Sequence, residues 1–112
     1  MIQNDLDTNH LNDSQKQLAQ LIISTAESLQ QSEIYCGGCK AFYSPDEWKS
    51  RGELYGTDSL LIICHDGGDL ACFFNYGYEC KNYMEQMRLV LKKNGYYAES
   101  CTCWYTAIFK GI

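Results

Sequence analysis

The chain has 112 residues and a formal net charge of −5, a length that suits one compact domain with a modest core. Hydrophobic residues make up 46% and aromatic residues 13%, a globular composition that excludes disorder. Nine cations face fourteen carboxylates, and Lys92-Lys93 is the only basic doublet. That balance argues against direct phosphate neutralisation on nucleic acid and points to a protein partner with a basic surface.

Residues 1–12 are polar and rich in Asn and Asp, and read as a mobile lead-in to a single domain spanning 1–112. The segment Met1–Asp7 has neither the basic nor the apolar region of a secretory signal, and no stretch reaches the ~20 apolar residues that span a bilayer. A cytoplasmic protein without membrane contact is therefore expected. Ser14 and Gln17 have capping-box spacing, and Leu18, Leu21, Ile22, Ala26 and Leu29 recur at helical spacing. A first helix over about 14–31 follows, with acidic residues in excess around it, and Glu27 and Glu33 are candidate contacts to a basic partner.

The connector 32–43 holds Cys36-Gly37-Gly38-Cys39. Two thiolates three positions apart can face one metal ion, and glycines between them remove the steric cost of the turn. A second helix is marked by Ser44 as N-cap, Pro45 at the first position and Glu47 closing the capping box, and is expected to run to about Leu54. Leu60–Cys64 and Leu70–Phe74 are short apolar runs flanking His65-Asp66-Gly67-Gly68-Asp69, a spacing that predicts a β-hairpin. A third helix spans about 78–93, with Tyr83, Met84, Met87, Val90 and Leu91 on its apolar stripe and Asn94-Gly95 as its stop. The aromatic and β-branched run Tyr96–Phe109 predicts a last strand. The expected fold is α+β in the order α-α-β-β-α-β, a small antiparallel sheet packed on helices, with a zinc knuckle in the connector after helix one.

Seven cysteines in a reducing compartment argue against a disulfide framework. Cys101 and Cys103, at strand spacing, supply a second pair of thiols, so the expected structural zinc set is Cys36, Cys39, Cys101 and Cys103. Cys64, Cys72, Cys80, His65 and His10 are the substitutes, and burial is the stronger reading for Cys64 and Cys72. A redox use of Cys36 and Cys39 is the weaker alternative, because the next helix starts too far from Cys39 to lower a thiol pKa. Cys64 beside His65 suggests a nucleophile and base, but neighbouring strand residues face opposite ways. Asp and Gly around His65 serve a turn as readily as catalysis, and no enzyme is expected.

The C-terminal half, from Asp58-Ser59-Leu60-Leu61-Ile62-Ile63 through His65–Asp69 to Cys101-Thr102-Cys103-Trp104-Tyr105-Thr106-Ala107-Ile108, resembles small proteins carried by phages and mobile elements of Gram-positive bacteria. With the CGGC pair it is similar to the zinc-containing Cas9 inhibitors among type II-A anti-CRISPR proteins. The resemblance implies a stoichiometric protein ligand that binds a basic surface of Cas9 and obstructs guide or target-DNA loading, with zinc serving the fold; a monomer is expected. A zinc-binding adaptor or regulator unrelated to CRISPR is the alternative.

Overall fold

The computed structural model describes residues 7–35, 40–65 and 67–111. The first helix, α1, is Asp13–Gln30, and its N-cap is Asn12, two residues before the expected Ser14. The Asn12 side chain accepts from the Gln15 amide at 2.8 Å while the Gln15 side chain accepts from the Asn12 amide at 3.0 Å, a reciprocal box built on Asn. Leu18, Ala19, Ile22, Ile23 and Ala26 form its buried stripe. The polar lead-in is in part a wall of the core: Leu11 is 5% exposed, and His10 Nε2 lies 2.8 Å from the Phe42 carbonyl.

Strand β1 is Phe42–Tyr43 and helix α2 is Pro45–Ser50. The α2 start is as the sequence dictates, with Ser44 accepting from the Glu47 amide and Glu47 accepting from the Ser44 amide. It ends four residues earlier than expected, because Gly52 takes a left-handed conformation (φ 89°) that terminates the turn. Strand β2 is Leu61–Cys64, buried at every position.

The expected β-hairpin is not formed. Leu70, Ala71, Phe73 and Phe74 are all buried, a spacing of one helical turn and not of alternation, and Ala71–Phe74 is a short helix, α3. A 3-10 turn, Tyr76–Tyr78, leads to α4, Lys81–Lys93, whose buried residues Met84, Met87 and Leu91 come from the expected stripe. The single expected last strand is two, β3 (Tyr96–Ser100) and β4 (Tyr105–Lys110), reversing through Cys101–Trp104. The four strands form one antiparallel sheet in the order β1-β2-β4-β3.

Both faces of the sheet are covered. Phe42, Leu61, Ile63 and Ile108 meet α1, α3 and α4 in the larger core. Ile62, Cys64, Tyr105 and Ala107 meet Trp48 of α2 on the other face. Cys64 and His65 thus fall on opposite faces, as strand alternation requires. The loop between α2 and β2 crosses the second face at Gly56, where an added Cβ stands 2.9 Å from both Ala107 Cβ and Ile62 Cδ1.

A disulfide joins Cys72 and Cys80, eight residues apart. This corrects the expectation that burial or metal accounts for every cysteine. The sequence reading put Cys72 on a strand and Cys80 at a helix start. The α3 helix and the 3-10 turn instead fold the chain back and bring their Cα atoms to 5.2 Å, a separation typical of a disulfide.

Glu47 joins the lead-in to α2. Its carboxylate lies 3.6 Å from His10 Nε2 and 3.4 Å from Lys40 Nζ. Burial pushes the carboxyl up, but the Ser44 amide, His10 and Lys40 together outweigh it and hold its pKa below the ordinary value. A folded-state pKa below the unfolded one gives stability that is present above the unfolded value, ~4.3, and lost as pH falls through the folded value. The difference in melting temperature between the parent and Glu47→Gln should therefore be largest near neutral pH and shrink below about pH 4. Thermal unfolding monitored between neutrality and acid measures it, and a constant difference would remove Glu47 from the acid response.

Candidate functional site

Of the four expected zinc ligands, Cys36 and Cys39 lie outside the described residues. Cys101 and Cys103 occupy the β3–β4 reversal and not the interior of one strand. Cys103 is exposed, whereas Cys101 is half-buried, its Sγ 3.2 Å from where a Cβ would stand on Gly56. Burial raises the Cys101 thiol pKa, and the Glu99 and Asp58 carboxylates add to the rise against a contact with the Ala107 backbone. A thiol so placed is protonated at neutral pH and a poor nucleophile unless a cation compensates. Among the described residues, no three of His, Cys, Asp and Glu are gathered as a metal site.

The chain on either side of the CGGC pair is pinned. The Tyr35 amide donates to Asp69 Oδ2 at 2.7 Å, the Asp69 amide donates to the Tyr35 carbonyl at 2.6 Å, and Gln30 Nε2 donates to the same Asp69 oxygen at 3.2 Å. On the other side the Cys64 amide donates to the Ala41 carbonyl at 2.8 Å. One residue further on, the His65 amide donates to the Trp104 carbonyl at 2.9 Å. This register places Lys40, His65 and Trp104 in one row at one end of the sheet. Lys40 and Trp104 are thus about two strand spacings, ~10 Å, apart.

His65 is a core residue. It is 1% exposed, its Nε2 is 2.8 Å from Thr106 Oγ1, and its ring stacks against Phe74 at 6.1 Å. Asp69 is the clamp just described. The acidic residues named on helix one also divide: Glu27 accepts from the Ile34 amide at 3.3 Å, an anchor for the helix exit, while Glu33 is exposed.

The feature that sequence reasoning missed is the loop between α3 and α4. Asn75 caps the 3-10 turn by accepting from the Gly77 amide at 3.0 Å, and the Cys72–Cys80 disulfide closes the loop at its base. On it Tyr76 is 62% and Tyr78 50% exposed, and Glu79, also exposed, stands beside them. Two tyrosine rings and a carboxylate on a cross-linked turn can stack on and pair with a guanidinium or ammonium group. The signal was available as Tyr-Gly-Tyr-Glu between two cysteines, and it was hidden by reading Cys72 as a strand residue. Among the described residues, no helix is long and apolar enough to cross a membrane. No protein-family model, curated protein or solved structure matches the chain.

Proposed function

We propose that the chain is a non-enzymatic protein ligand that grips a basic protein surface with the Tyr76–Glu79 loop. The observation that carries this reading is the exposure of Tyr76 and Tyr78 on a turn held by Asn75 and the disulfide. Tyrosine is enriched where interfaces concentrate their binding energy, and a turn already fixed loses little conformational entropy on binding. Glu79 and the overall charge of −5 favour a cationic counterpart. The resemblance to type II-A anti-CRISPR proteins makes Cas9 the first partner to test, with obstruction of guide or target-DNA loading as the expected effect.

Zinc belongs to this proposal as a stabiliser of the fold, held by Cys36, Cys39, Cys101 and Cys103. It is supported by the register that sets Lys40, the residue after Cys39, in the row of Trp104, the residue after Cys103. Metal analysis of protein purified without added zinc should give about one zinc per chain, lost in Cys103→Ser.

The binding test uses the intact chain and its Tyr76→Ala/Tyr78→Ala variant against a panel of type II-A Cas9 proteins. Co-elution and loss of DNA cleavage with the parent, weakened at least about tenfold in the variant, support the reading. Equal inhibition by the variant removes the loop from the interface. Absence of both binding and inhibition across the panel removes Cas9 as the partner.

A further inference from the structure

The two edges of the sheet are finished differently. Because Ala41 and Cys64 share a ladder hydrogen bond, the next pair, Phe42 and Ile63, is of the non-bonded kind and Phe42 turns its backbone groups outward. His10 covers that outward carbonyl, so the β1 edge is short and capped. At the other edge, the Cys101 amide donates to the Tyr105 carbonyl at 3.2 Å and the Gly111 amide to the Gly95 carbonyl at 2.7 Å. Odd-numbered residues of β3 therefore bond to β4, and Tyr96, Ala98 and Ser100 turn their N–H and C=O groups away from the sheet. Among the described residues, no hydrogen bond from another element reaches those groups. An uncovered edge of this length is a template for another strand.

The same edge borders a cavity of about 460 Å³ lined by Arg88 and Lys92 of α4 and by Tyr96, Tyr97 and Ala98. Gly95 and Gly111, hydrogen-bonded to each other at the end of the β3–β4 pair, complete its lining, so the cavity starts at that end of the sheet and reaches the first residues of the edge. Tyr96 and Ala98 pack toward the α1–α4 core, which puts Arg88 and Lys92 above that face. Tyr97, 47% exposed, stacks on Phe109 at 5.4 Å on the other face.

Charge singles out this end of an otherwise acidic chain. Lys81, Arg88, Lys92, Lys93 and Lys110 are five of its nine cations, and residues 81–112 carry only Glu85 and Glu99 as carboxylates. Glu99 alternates with Ala98 and lies on the Tyr97 face, away from the cations. Glu85 lies next to Arg88 along the outer flank of α4. Arg88 and Lys92 are exposed, one helical turn apart, and take part in none of the ion pairs found among the described residues.

We propose that the β3 edge accepts an extended acidic segment of a partner protein as an added strand. Its carboxylates, at alternate positions, face Arg88 and Lys92, and apolar side chains at the positions between them cover the Tyr97–Phe109 stack. Main-chain bonds to Tyr96, Ala98 and Ser100 supply affinity, and the alternation supplies specificity. This surface is separate from the Tyr76–Tyr78 loop and takes a partner segment of opposite charge.

The test probe is a capped hexapeptide alternating Glu and Val, titrated into the isotopically labelled full chain. Binding should slow hydrogen exchange at the Tyr96, Ala98 and Ser100 amides and should weaken as salt is added. Arg88→Glu/Lys92→Glu should weaken it by roughly tenfold or more. The same peptide N-methylated at alternate backbone positions keeps its charges but loses its donors, and should fail to bind. Equal binding of the methylated peptide, binding that leaves those three amides unprotected, or no binding of the parent peptide overturns the proposal. Tyr76→Ala/Tyr78→Ala should leave peptide binding unchanged, so this surface and the tyrosine loop stand or fall separately.

Discussion

Replacing Trp48 with alanine should lower the free energy of unfolding by about 4 kcal/mol, the middle of the range for truncating a buried aromatic residue. Trp48 is fully buried on the face of the sheet opposite α1. Its ring lies 4.8 Å from Tyr105 in an edge-on arrangement, 4.9 Å from Tyr43 and 5.6 Å from Trp104, and Arg51 Cζ stands 4.7 Å over it. The six-residue helix α2 is too short to be stable by itself, and Trp48 is the one side chain that it buries in the core. Trp48→Phe keeps part of the ring contact and should cost less than half as much. Urea unfolding of the three proteins measures the order, and a loss below about 1 kcal/mol in Trp48→Ala would show that Tyr43, Trp104 and Tyr105 hold this face without it.

Gly56→Ala should cost about 3 kcal/mol, far more than the same change at Gly52. Both glycines have positive φ, 77° and 89°, where any L side chain costs ~1–2 kcal/mol. At Gly52 nothing lies within 4 Å of the new methyl group, so that backbone cost stands alone. At Gly56 the methyl meets Ala107 Cβ and Ile62 Cδ1 at 2.9 Å and Cys101 Sγ at 3.2 Å. The first two belong to the central strands, which cannot give way easily, and the clash adds ~1–3 kcal/mol. Comparing the two variants by denaturant unfolding isolates the packing contribution. Equal losses would mean that the loop lifts off the sheet without penalty.

Legibility in the sequence followed how local the determinant was. The α2 start was readable to the residue because Ser44, Pro45 and Glu47 act on one another across three positions. The stripes of α1 and α4 were readable for the same reason. Strand β1, two residues long, has no pattern of its own and exists only because Ile62 and Ile63 pair with it. The Leu70–Phe74 run illustrates a weaker signal, since a short apolar stretch suits a buried strand and a buried helix alike. One strand was expected over Tyr96–Phe109 and the β3–β4 reversal was missed, yet Tyr97, Cys101, Tyr105 and Phe109 still share a face across it. The pairing of Tyr97 with Phe109 preserves odd-to-odd register through the turn, so parity survived the error. For the candidate sites the difficulty was of another kind. The Cys72–Cys80 pair and the groove beneath Arg88 depend on how α3 and α4 are placed, which no local spacing encodes.

The order β1-β2-β4-β3 also sets how the chain must assemble. Strands β3 and β4 are separated by a four-residue reversal and can pair early, whereas the nearest pair of the central β2–β4 ladder, Cys64 with Tyr105, is 41 residues apart in sequence (105 − 64). Pairing across such a span defers its reward until most of the loop entropy has been lost, which makes it the natural rate-limiting event. The Cys72–Cys80 bond lies inside that span and shortens it by eight residues. The resulting change in closure entropy is only ~0.2 kcal/mol. Reduction of that bond should therefore leave the folding rate nearly untouched, and the cross-link acts on the Tyr76–Tyr78 turn and not on the speed with which the centre of the sheet is found.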